Sequence, residues 1–329
     1  MRSAVIAATG MQVPERVLPN AWFNDRLGED VDTWLRENLT IRERRWCAED
    51  ESTADLCVGA AESILTTAGV APADLDLIII ATDTPEYISP STASVVQHRL
   101  GATGAGTFDL NTACAGFVTA LDVGAKYIAA DSRYRNVLVI GAYAMSKYLD
   151  LSDKKTVTLF ADGAAGVLLQ PGDDPSRSFL GSELYTEGQY HDWMGIYGGG
   201  THQPSTTESV SRKDHLLKFV RKFPKELNPV TWERMIRALA GRLDLSITDI
   251  DHLFFTQINI NSIRETMVAL DLPMTRAHTV MERYAYTGSA CIPMALHEAV
   301  AGGKLSRGDL LFFIGSGGGL AFASAAFRF

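Results

Sequence analysis

The feature that most constrains the fold of this 329-residue chain is an internal duplication. The segment ADLDLIIIAT, which contains Asp74, corresponds to TDIDHLFFTQ, which contains Asp249, at an offset of 175 residues. A second pair, RNVLVIGAYA and GDLLFFIGSG, aligns Ile140 with Ile314 at an offset of 174 residues. Self-similarity at a nearly constant spacing indicates repeated structural units, so the chain is predicted to contain two similar halves.

Segments with helical spacing flank the duplicated strands in both halves. STADLCVGAAESILTTAGV and NPVTWERMIRALAGRLDL precede the two strands, while STASVVQHRLG and NINSIRETMVALDLP follow them. The runs DLIII, NVLVI and LLFFI are apolar at consecutive positions, which is typical of strands covered by helices on both faces. The order helix, strand, helix, strand therefore predicts an α/β fold built from layers.

The halves are predicted to be residues 1–170 and 171–329. Residues 171–225 have no counterpart in the first half and are interpreted as an insertion. Within it, HDWMGIYGGGTHQPSTTESVSRKDH is rich in Gly, Ser, Thr and His, as long loops are. Because long loops in compact folds often carry functional residues, we expect this insertion to line a pocket.

Composition excludes several classes of partner. The net charge is −9 and the isoelectric point is near 5.3, so neither a nucleic-acid backbone nor an anionic membrane is expected as the main partner. Cys47, Cys57, Cys114 and Cys291 lack C-x-x-C spacing, so no metal site and no disulfide framework is predicted, and a reducing cytoplasm fits best. No segment is expected to direct export or to cross a bilayer.

The stretch DLNTACAGF places Cys114 between an extended apolar run and a segment with helical spacing. At the start of a helix, free N–H groups and the helix dipole stabilise a thiolate and an oxyanion, so a nucleophile with a lowered pKa is one interpretation. A buried structural cysteine is the other, since free cysteines are often buried. Position alone leaves both open.

Several separated motifs move the interpretation toward the nucleophile. DLNTACAGF, LTIRERRW, ATDTPEYISPSTASVVQHRLG, TLFADGAAGVLLQ and GSGGGLAFASAAFRF resemble, in order, motifs of the β-ketoacyl-ACP synthase III branch of the thiolase superfamily. The resemblance implies a thiolase-like fold, in which two duplicated halves form five αβαβα layers, and a homodimer. It also implies a transferase that uses acyl-CoA or acyl carrier protein as substrates and needs no resident cofactor.

The resemblance assigns roles to individual residues. Cys114 matches the acyl-carrying nucleophile, and the N–H groups of Cys114 and Gly318 match the oxyanion hole. Trp34 matches the aromatic that stacks on the adenine of coenzyme A, although the position of the family's partner arginine reads Asn38. Ser89 falls where common family members carry a bulky Phe at the end of the acyl channel, which suggests a larger primer.

Two catalytic positions depart from the family pattern. The family's His position in H-Q-A-N reads Thr256 here, while Gln257 and Asn259 keep the rest of that motif, and its Asn position in G-N-T-S reads Tyr286. Threonine is not a base near neutral pH and has no imidazole N–H, so the usual stabilisation of the enolate is lost. Thr256, Gln257 and Tyr286 are the candidate replacement donors.

Three chemistries and one non-catalytic role remain open from the sequence. The first is Claisen-type condensation with relocated enolate donors, in fatty-acid or specialised-metabolite synthesis. The second is a non-decarboxylative condensation, since YTGS resembles HMG-CoA synthases and Asp83 lies where that branch has its general-base glutamate, although a strand-end turn also explains Asp83. The third is acyl transfer to an alcohol, an amine or water. A ketosynthase-like partner subunit without activity is the remaining alternative.

Two further groups of residues are candidates. His191 and His202 lie in the glycine-rich insertion and are the best placed histidines for a relocated base, although loop histidines are commonly solvated. The basic stretch SRKDHLLKFVRKFPKEL is predicted either to dock an acidic carrier protein, through Arg221 and Lys222, or to be an ordinary solvated face.

Overall fold

The structure is a computed structural model that describes residues 2–174 and 176–329. The strands of the described residues are β1 (Ser3–Gln12), β2 (Val17–Pro19), β3 (Glu43–Arg45), β4 (Leu77–Ala81), β5 (Gly106–Leu110), β6 (Val137–Ala144), β7 (Asp162–Gly172), β8 (Ser178–Thr186), β9 (Met194–Gly195), β10 (Lys218–Phe219), β11 (His252–Phe255), β12 (Ala277–His278), β13 (Leu310–Gly317) and β14 (Ala321–Arg328). The α-helices are α1 (Asn20–Leu27), α2 (Asp32–Leu39), α3 (Thr53–Ala68), α4 (Thr92–Leu100), α5 (Gly116–Ala130), α6 (Lys154–Val157), α7 (Thr207–Ser211), α8 (Leu227–Arg242), α9 (Ile260–Ala269), α10 (Met281–Tyr284) and α11 (Cys291–Ala301).

Two five-stranded sheets repeat one topology. Sheet 1 has the order β1-β7-β6-β4-β5, and sheet 2, read from its other edge, has the order β8-β14-β13-β11-β12. In both sheets the first two pairs of neighbouring strands are antiparallel and the last two pairs are parallel, so the middle strand, β6 or β13, has one neighbour of each kind. The duplicated segments therefore occupy equivalent strands, β4 with β11 and β6 with β13, and the predicted internal repeat is confirmed.

The sheets and helices form five layers. Helices α3 and α4 cover the outer face of sheet 1, α8 and α9 cover the outer face of sheet 2, and α5 and α11 lie between the sheets. Strand β4 is buried at all five positions and β13 at all eight, which explains why both read as continuous apolar runs. The predicted αβαβα thiolase-like fold is confirmed.

Local signals fix the helix that precedes β4. Ser52 and Asp55 form a capping box at the start of α3, where the Ser52 side chain accepts from the Asp55 amide and the Asp55 carboxylate accepts from Ser52. The helix ends at Gly69, whose φ of 65° lies in the left-handed region that glycine tolerates best.

The region interpreted as an insertion differs in part from its prediction. Residues 171–225 were expected to have no counterpart, but β8 takes the position in sheet 2 that β1 takes in sheet 1. Periodicity missed it because β8 lies at a sheet edge and most of its positions are half-buried, with a mixed polar composition. The stretch without an equivalent strand begins after Thr186, while the division of the chain at residue 170 stays a prediction.

One segment contradicts the expectation about membrane-spanning length. Among the described residues, Ala113–Ala130 is long and apolar enough to cross a membrane by composition alone, and 67% of it is buried inside the fold. The segment includes α5, which packs between the two sheets. A helix covered on all sides by protein is apolar all round, so the fold itself accounts for this composition.

Candidate active site

The nucleophile candidate lies in a tight turn between β5 and α5. Ala113 has a φ of 45°, and its amide donates to the side chain of Asn111 over 2.9 Å, so the chain reverses sharply before the helix. Cys114 follows and is 3% exposed. The predicted strand, turn and helix around this cysteine are confirmed.

The glycine-rich turn after β13 packs directly on this cysteine. A Cβ on Gly317 would lie 2.5 Å from the Cys114 amide nitrogen and 2.7 Å from the Thr112 carbonyl oxygen, so only glycine fits there. Gly318 follows and faces the same cavity as Cys114. Among the described residues neither the Cys114 amide nor the Gly318 amide donates a backbone hydrogen bond to another residue, so both are available to a substrate oxygen.

A cavity of about 580 Å³ leads to Cys114. Its walls come from both halves of the chain and from the loop that follows β8. The lining includes Trp34, Cys114, Lys222, Lys225, Asn259, Tyr286, Gly317 and Gly318. Apolar side chains, among them Leu159, Met194, Phe219 and Leu320, form much of the remaining wall. A mostly apolar cleft with a few polar groups around one cysteine suits a flexible thioester substrate.

Tyr286 is the polar side chain in the cavity that is best suited to replace the family's histidine, whose position is taken by Thr256. Tyr286 lines the same cavity as Cys114 and is 1% exposed, and hydrogen bonding from its hydroxyl is among the causes that lower the pKa of the Cys114 thiol. Burial raises the pKa of Tyr286 well above 10.0, and the nearby Cys114 adds to this effect. The phenol therefore stays protonated and can donate a hydrogen bond to charge that develops beside the sulfur.

Asp83 brings a carboxylate to the same region. It follows β4 in a loop, and its Oδ1 is buried without a hydrogen-bond partner in the described part of the chain. Burial raises the pKa of Asp83 to about 6. Its charge also adds to the effect of burial in raising the pKa of Cys114 and Tyr143, although Asp83 does not itself line the cavity. An unpaired carboxylate with this pKa is suited to accept a proton near neutral pH.

The free thiol differs from the sequence expectation. Burial raises the pKa of Cys114 well above 9.0, and the Asp83 carboxylate raises it further, while the hydrogen bond from Tyr286 lowers it. The expectation of a thiolate stabilised by the helix start is therefore wrong for the unliganded protein. Because the thiol is protonated at neutral pH, acylation requires a group that accepts its proton.

Thr256 and Gln257 lie outside the cavity lining. The Thr256 hydroxyl accepts from the Ser316 amide over 2.9 Å and donates to the Ser316 carbonyl over 3.3 Å. The Gln257 side chain donates to the His278 carbonyl and accepts from the Val280 amide. Both side chains are buried and occupied by backbone partners, so the structure gives them a structural role in place of the predicted donation to substrate.

Other sequence-predicted residues divide into two groups. Asn259 lines the cavity and also accepts from the Asn261 amide at the start of α9, while Trp34 lines it and is 54% exposed. Ser89, His191 and His202 are exposed and do not line the cavity. One cavity is therefore lined by Cys114, Gly318, Tyr286, Asn259 and Trp34. Ser89, which was expected at the end of the acyl channel, lies outside this cavity.

The predicted basic surface is largely neutralised by ion pairs. Arg221 pairs with Asp192 at 3.5 Å and lies over the Trp193 ring, so its assignment as a free docking cation is not supported. Arg212, Lys213 and Lys218 also have carboxylate partners within 2.9 Å. Lys222 and Lys225 line the cavity, are exposed, and form no ion pair among residues 2–174 and 176–329.

Sequence reasoning missed Tyr143. Strands β4 and β6 are parallel with Ala81 opposite Gly141, so Asp83 and Tyr143 each lie two residues past that pair. Tyr143 is 1% exposed, and its ring lies 6.5 Å from the Tyr286 ring. The sequence did contain a signal for it. Tyr143 lies near the carboxyl end of β6, one of the duplicated parallel strands, and residues at these strand ends lie at the edge of the sheet that carries the site. Elsewhere in the described ranges, no cluster of three or more His, Cys, Asp or Glu side chains could hold a metal ion.

Comparisons with known proteins agree with this geometry. The model of 3-oxoacyl-[acyl-carrier-protein (ACP)] synthase III matches residues 108–188, and the model of its C-terminal part matches residues 240–329. The chain is 34% identical over 334 residues to the β-ketoacyl-[acyl-carrier-protein] synthase III of Natranaerobius thermophilus, covering 100% of both chains. It is 37% identical over 333 residues to the synthase of that name from Xylella fastidiosa, covering 99% of this chain and 98% of the relative.

Solved structures give the same result. The crystal structure of 3-oxoacyl-[acyl-carrier-protein] synthase III from Aquifex aeolicus superposes with a TM-score of 0.88 at 31% identity, covering 99% of this chain and 100% of that one. The matched regions include the nucleophile turn and the glycine-rich C-terminal strand pair. The chain therefore belongs to the 3-oxoacyl-[acyl-carrier-protein] synthase III family.

Proposed function

We propose that this protein is a thioester-dependent acyltransferase that carries its acyl group on Cys114 and transfers it in a Claisen-type condensation. Its membership of the synthase III family supports the reaction class. The observation that carries the proposal is that Cys114, Gly318 and Tyr286 line one cavity. We assign the chain to fatty-acid synthesis or a related pathway that begins from an acyl primer.

In the first step the Cys114 sulfur attacks the thioester carbon of the donor. The amides of Cys114 and Gly318 stabilise the oxyanion, the donor thiol leaves with a proton, and an acyl-S-Cys114 bond remains. In the second step the bond between the α-carbon and the carboxylate of a malonyl acceptor breaks, CO2 leaves, and the resulting carbanion attacks the same carbonyl carbon. A carbon–carbon bond forms, the carbon–sulfur bond breaks, and the Cys114 thiolate leaves.

Two side chains take the place of the missing imidazole in this proposal. Asp83 accepts the thiol proton as acylation begins, since its pKa of about 6 leaves it ionised at neutral pH. Tyr286 donates its O–H to the sulfur or to the developing enolate oxygen. Thr256 is not used, because both functions of its hydroxyl are occupied by Ser316.

Asp83 also favours a second candidate reaction. An unpartnered carboxylate near the nucleophile can remove a proton from the α-carbon of an acetyl group, which would allow condensation without decarboxylation. The unpartnered Oδ1 supports this second reaction. The two reactions differ in the acceptor, which is a malonyl thioester in the first and an acetyl thioester in the second.

We further propose the assembly and substrates. The acyl donor is acyl-CoA, the acceptor is held on an acyl carrier protein, and no resident cofactor takes part. Trp34, exposed at the cavity, suits stacking on a nucleotide, and Lys222 with Lys225 suits an acidic carrier. The protein acts as a homodimer in the cytoplasm, as the composition and family resemblance suggest.

Intact-protein mass spectrometry tests this proposal. Wild-type protein and Cys114→Ala are incubated with a panel of acyl-CoAs and then chased with malonyl-ACP, malonyl-CoA, acetyl-CoA or buffer. An acyl adduct in the wild type alone establishes the nucleophile. Discharge by malonyl-ACP or malonyl-CoA with loss of CO2 supports decarboxylative condensation, discharge by acetyl-CoA supports the second candidate, and discharge by buffer indicates a hydrolase. No adduct with any donor contradicts the proposal.

A further inference from the structure

Residues 42–47 are hydrogen-bonded to two segments next to Tyr286, helix α10 and residues 158–161. The Arg42 amide donates to the Glu282 carbonyl in α10 over 3.0 Å. Farther along, Arg44 Nη2 donates to the Thr158 carbonyl over 2.7 Å, and Trp46 Nε1 donates to the Phe160 carbonyl over 3.0 Å. Alternate residues of one short extended segment are therefore bonded to helix α10 and to residues 158–161, both far away in the sequence.

The loop that receives two of these bonds in turn holds the Tyr286 backbone. The Tyr286 amide donates to the Leu159 carbonyl over 3.1 Å, and the Tyr286 carbonyl accepts from the Ala161 amide over 2.8 Å. Leu159 and Ala161, which bond Tyr286, alternate along the chain with Thr158 and Phe160, whose carbonyls accept from Arg44 and Trp46. One side of residues 158–161 thus faces the segment 42–47, and the other side faces Tyr286.

Arg44 and Trp46 are built into this arrangement. Arg44 is fully buried, lies 4.3 Å over the Phe23 ring, and also donates to the Asn20 side chain. Trp46 is 4% exposed and packs edge-on against Phe23 and Trp22. Burying a guanidinium without an ion-pair partner is costly, so its bonds to the Thr158 carbonyl and the Asn20 side chain offset that cost and fix the distance between β3 and Thr158.

We infer that Arg44 and Trp46 are positioning residues that hold the Tyr286 hydroxyl on the Cys114 sulfur through residues 158–161. The inference rests on the proposed function, because it gives Tyr286 a role at the nucleophile. Neither residue touches substrate, since neither lines the cavity. A hydroxyl that donates to a developing charge must be held within a few tenths of an ångström, which a side chain on an unsupported loop cannot achieve.

Trp46→Phe is the sharpest variant. Phenylalanine keeps an aromatic ring against Phe23 and Trp22 and removes the N–H that bonds Phe160 together with part of the indole, a loss of volume that Trp22→Phe reproduces. Truncating Arg44 would instead leave several buried acceptors without a donor. The readout is the pH dependence of iodoacetamide alkylation at Cys114, followed by mass spectrometry of the peptide that contains it. Alkylation needs no acyl donor, so it remains measurable even when the proposed acyl transfer is wrong.

We expect Tyr286→Phe to slow alkylation at pH 7.5 by about tenfold and to shift its rise to higher pH, because a hydrogen bond that stabilises the thiolate is lost. Trp46→Phe should change the profile in the same direction, by about threefold to tenfold. The double variant should match Tyr286→Phe alone, because residues that act through one another are not additive.

Trp22→Phe is the matched control. It alters the same aromatic cluster and should leave the alkylation profile unchanged, while thermal unfolding of every variant reports general damage. The inference is overturned when Trp46→Phe has the wild-type profile, when its effect adds to that of Tyr286→Phe, or when Trp22→Phe changes the profile equally. A wild-type profile for Tyr286→Phe overturns it as well. If the alkylation profiles change as expected but no acyl adduct forms on Cys114, the proposed function is contradicted and the inference about Arg44 and Trp46 is not.

Discussion

Gly317 and Cys114 meet backbone to backbone, so closely that a Cβ on Gly317 would lie 2.5 Å from the Cys114 amide nitrogen. The two residues come from different halves of the duplicated chain, Cys114 from the turn after β5 and Gly317 from the end of β13. One half thus supplies the proposed nucleophile and the other supplies the turn that leads to Gly318. The duplication has diverged into complementary roles, and neither half alone contains the site.

Gly317→Ala should abolish most acylation of Cys114. The added methyl group would overlap the Cys114 amide and the Thr112 carbonyl, so the two turns must separate and the oxyanion donors lose their alignment. We expect acylation by acyl-CoA to fall by about a hundredfold or more. The measurement is the rate of adduct formation. Gly241→Ala, where a Cβ meets no atom within 4 Å, is the control, and an equal loss there would contradict the explanation.

Asp83→Asn should remove the pH dependence of acylation near pH 6. Burial raises the pKa of Asp83 to about 6, so a proton acceptor at this position makes the wild-type rate rise as pH increases through that value. Asparagine cannot accept the proton, and we expect a rate about a hundredfold lower that no longer rises through pH 6. Single-turnover acylation between pH 5 and 8 measures this, and an unchanged profile would exclude Asp83 as the base.

The same substitution should stabilise the fold at high pH, although it lowers the rate of acylation. Burial raises the pKa of Asp83 from 3.8 to about 6, so the native state holds the proton more tightly than the unfolded chain does. The free energy of unfolding therefore falls as pH rises between these two values, and it stays lower at higher pH. Asp83→Asn should therefore raise the free energy of unfolding at pH 8 by up to about 3 kcal/mol, with little difference at pH 4. Denaturant unfolding at both pH values tests it, and equal stability at pH 8 would contradict a buried carboxylate.

Reversing charge at Lys222 and Lys225 should weaken turnover with carrier-protein substrates. These lysines line the cavity without ion pairs among the described residues, whereas Arg221 is held by Asp192. We expect Lys222→Glu with Lys225→Glu to raise KM for malonyl-ACP about tenfold, most strongly at low salt, because the partner is acidic. Discharge of acyl-Cys114 by malonyl-ACP and by malonyl-CoA is compared. A similar loss with both acceptors, or with the distant Lys304→Glu control, would count against docking.

Trp34→Ala should affect only donors that contain a nucleotide. Its indole lines the cavity and is 54% exposed, so it can stack on an adenine without rearrangement. We expect KM for acyl-CoA to rise about fivefold to tenfold while kcat stays unchanged. The corresponding N-acetylcysteamine thioester, which lacks the nucleotide, is the control. An equal effect on both donors would show that Trp34 acts on the cavity in general.

The layers and the nucleophile could be predicted from sequence, while the polar groups around the nucleophile could not. Consecutive apolar residues in β4 and β13 report burial on both faces, and the offset between them reports the duplication directly. Thr256 and Gln257 illustrate the limit. Their places in a motif suggested contact with substrate, yet each side chain satisfies backbone groups that periodicity does not reveal. Tyr143 and Asp83 lie at equivalent positions beyond neighbouring strands because of strand register, which no local pattern encodes.

Thr256→Val separates the structural role of this threonine from the catalytic role suggested by the motif. Valine has the same shape but leaves the buried Ser316 amide without its acceptor, so the free energy of unfolding should fall by about 1–3 kcal/mol. Because the hydroxyl does not face the cavity, acylation of Cys114 and its discharge by malonyl-ACP should change less than about threefold. Thr256→Ser, which keeps the hydroxyl, should recover the bond to Ser316. A hundredfold loss in discharge with unchanged stability would instead restore Thr256 as an enolate donor and remove the need for Tyr286 in that step.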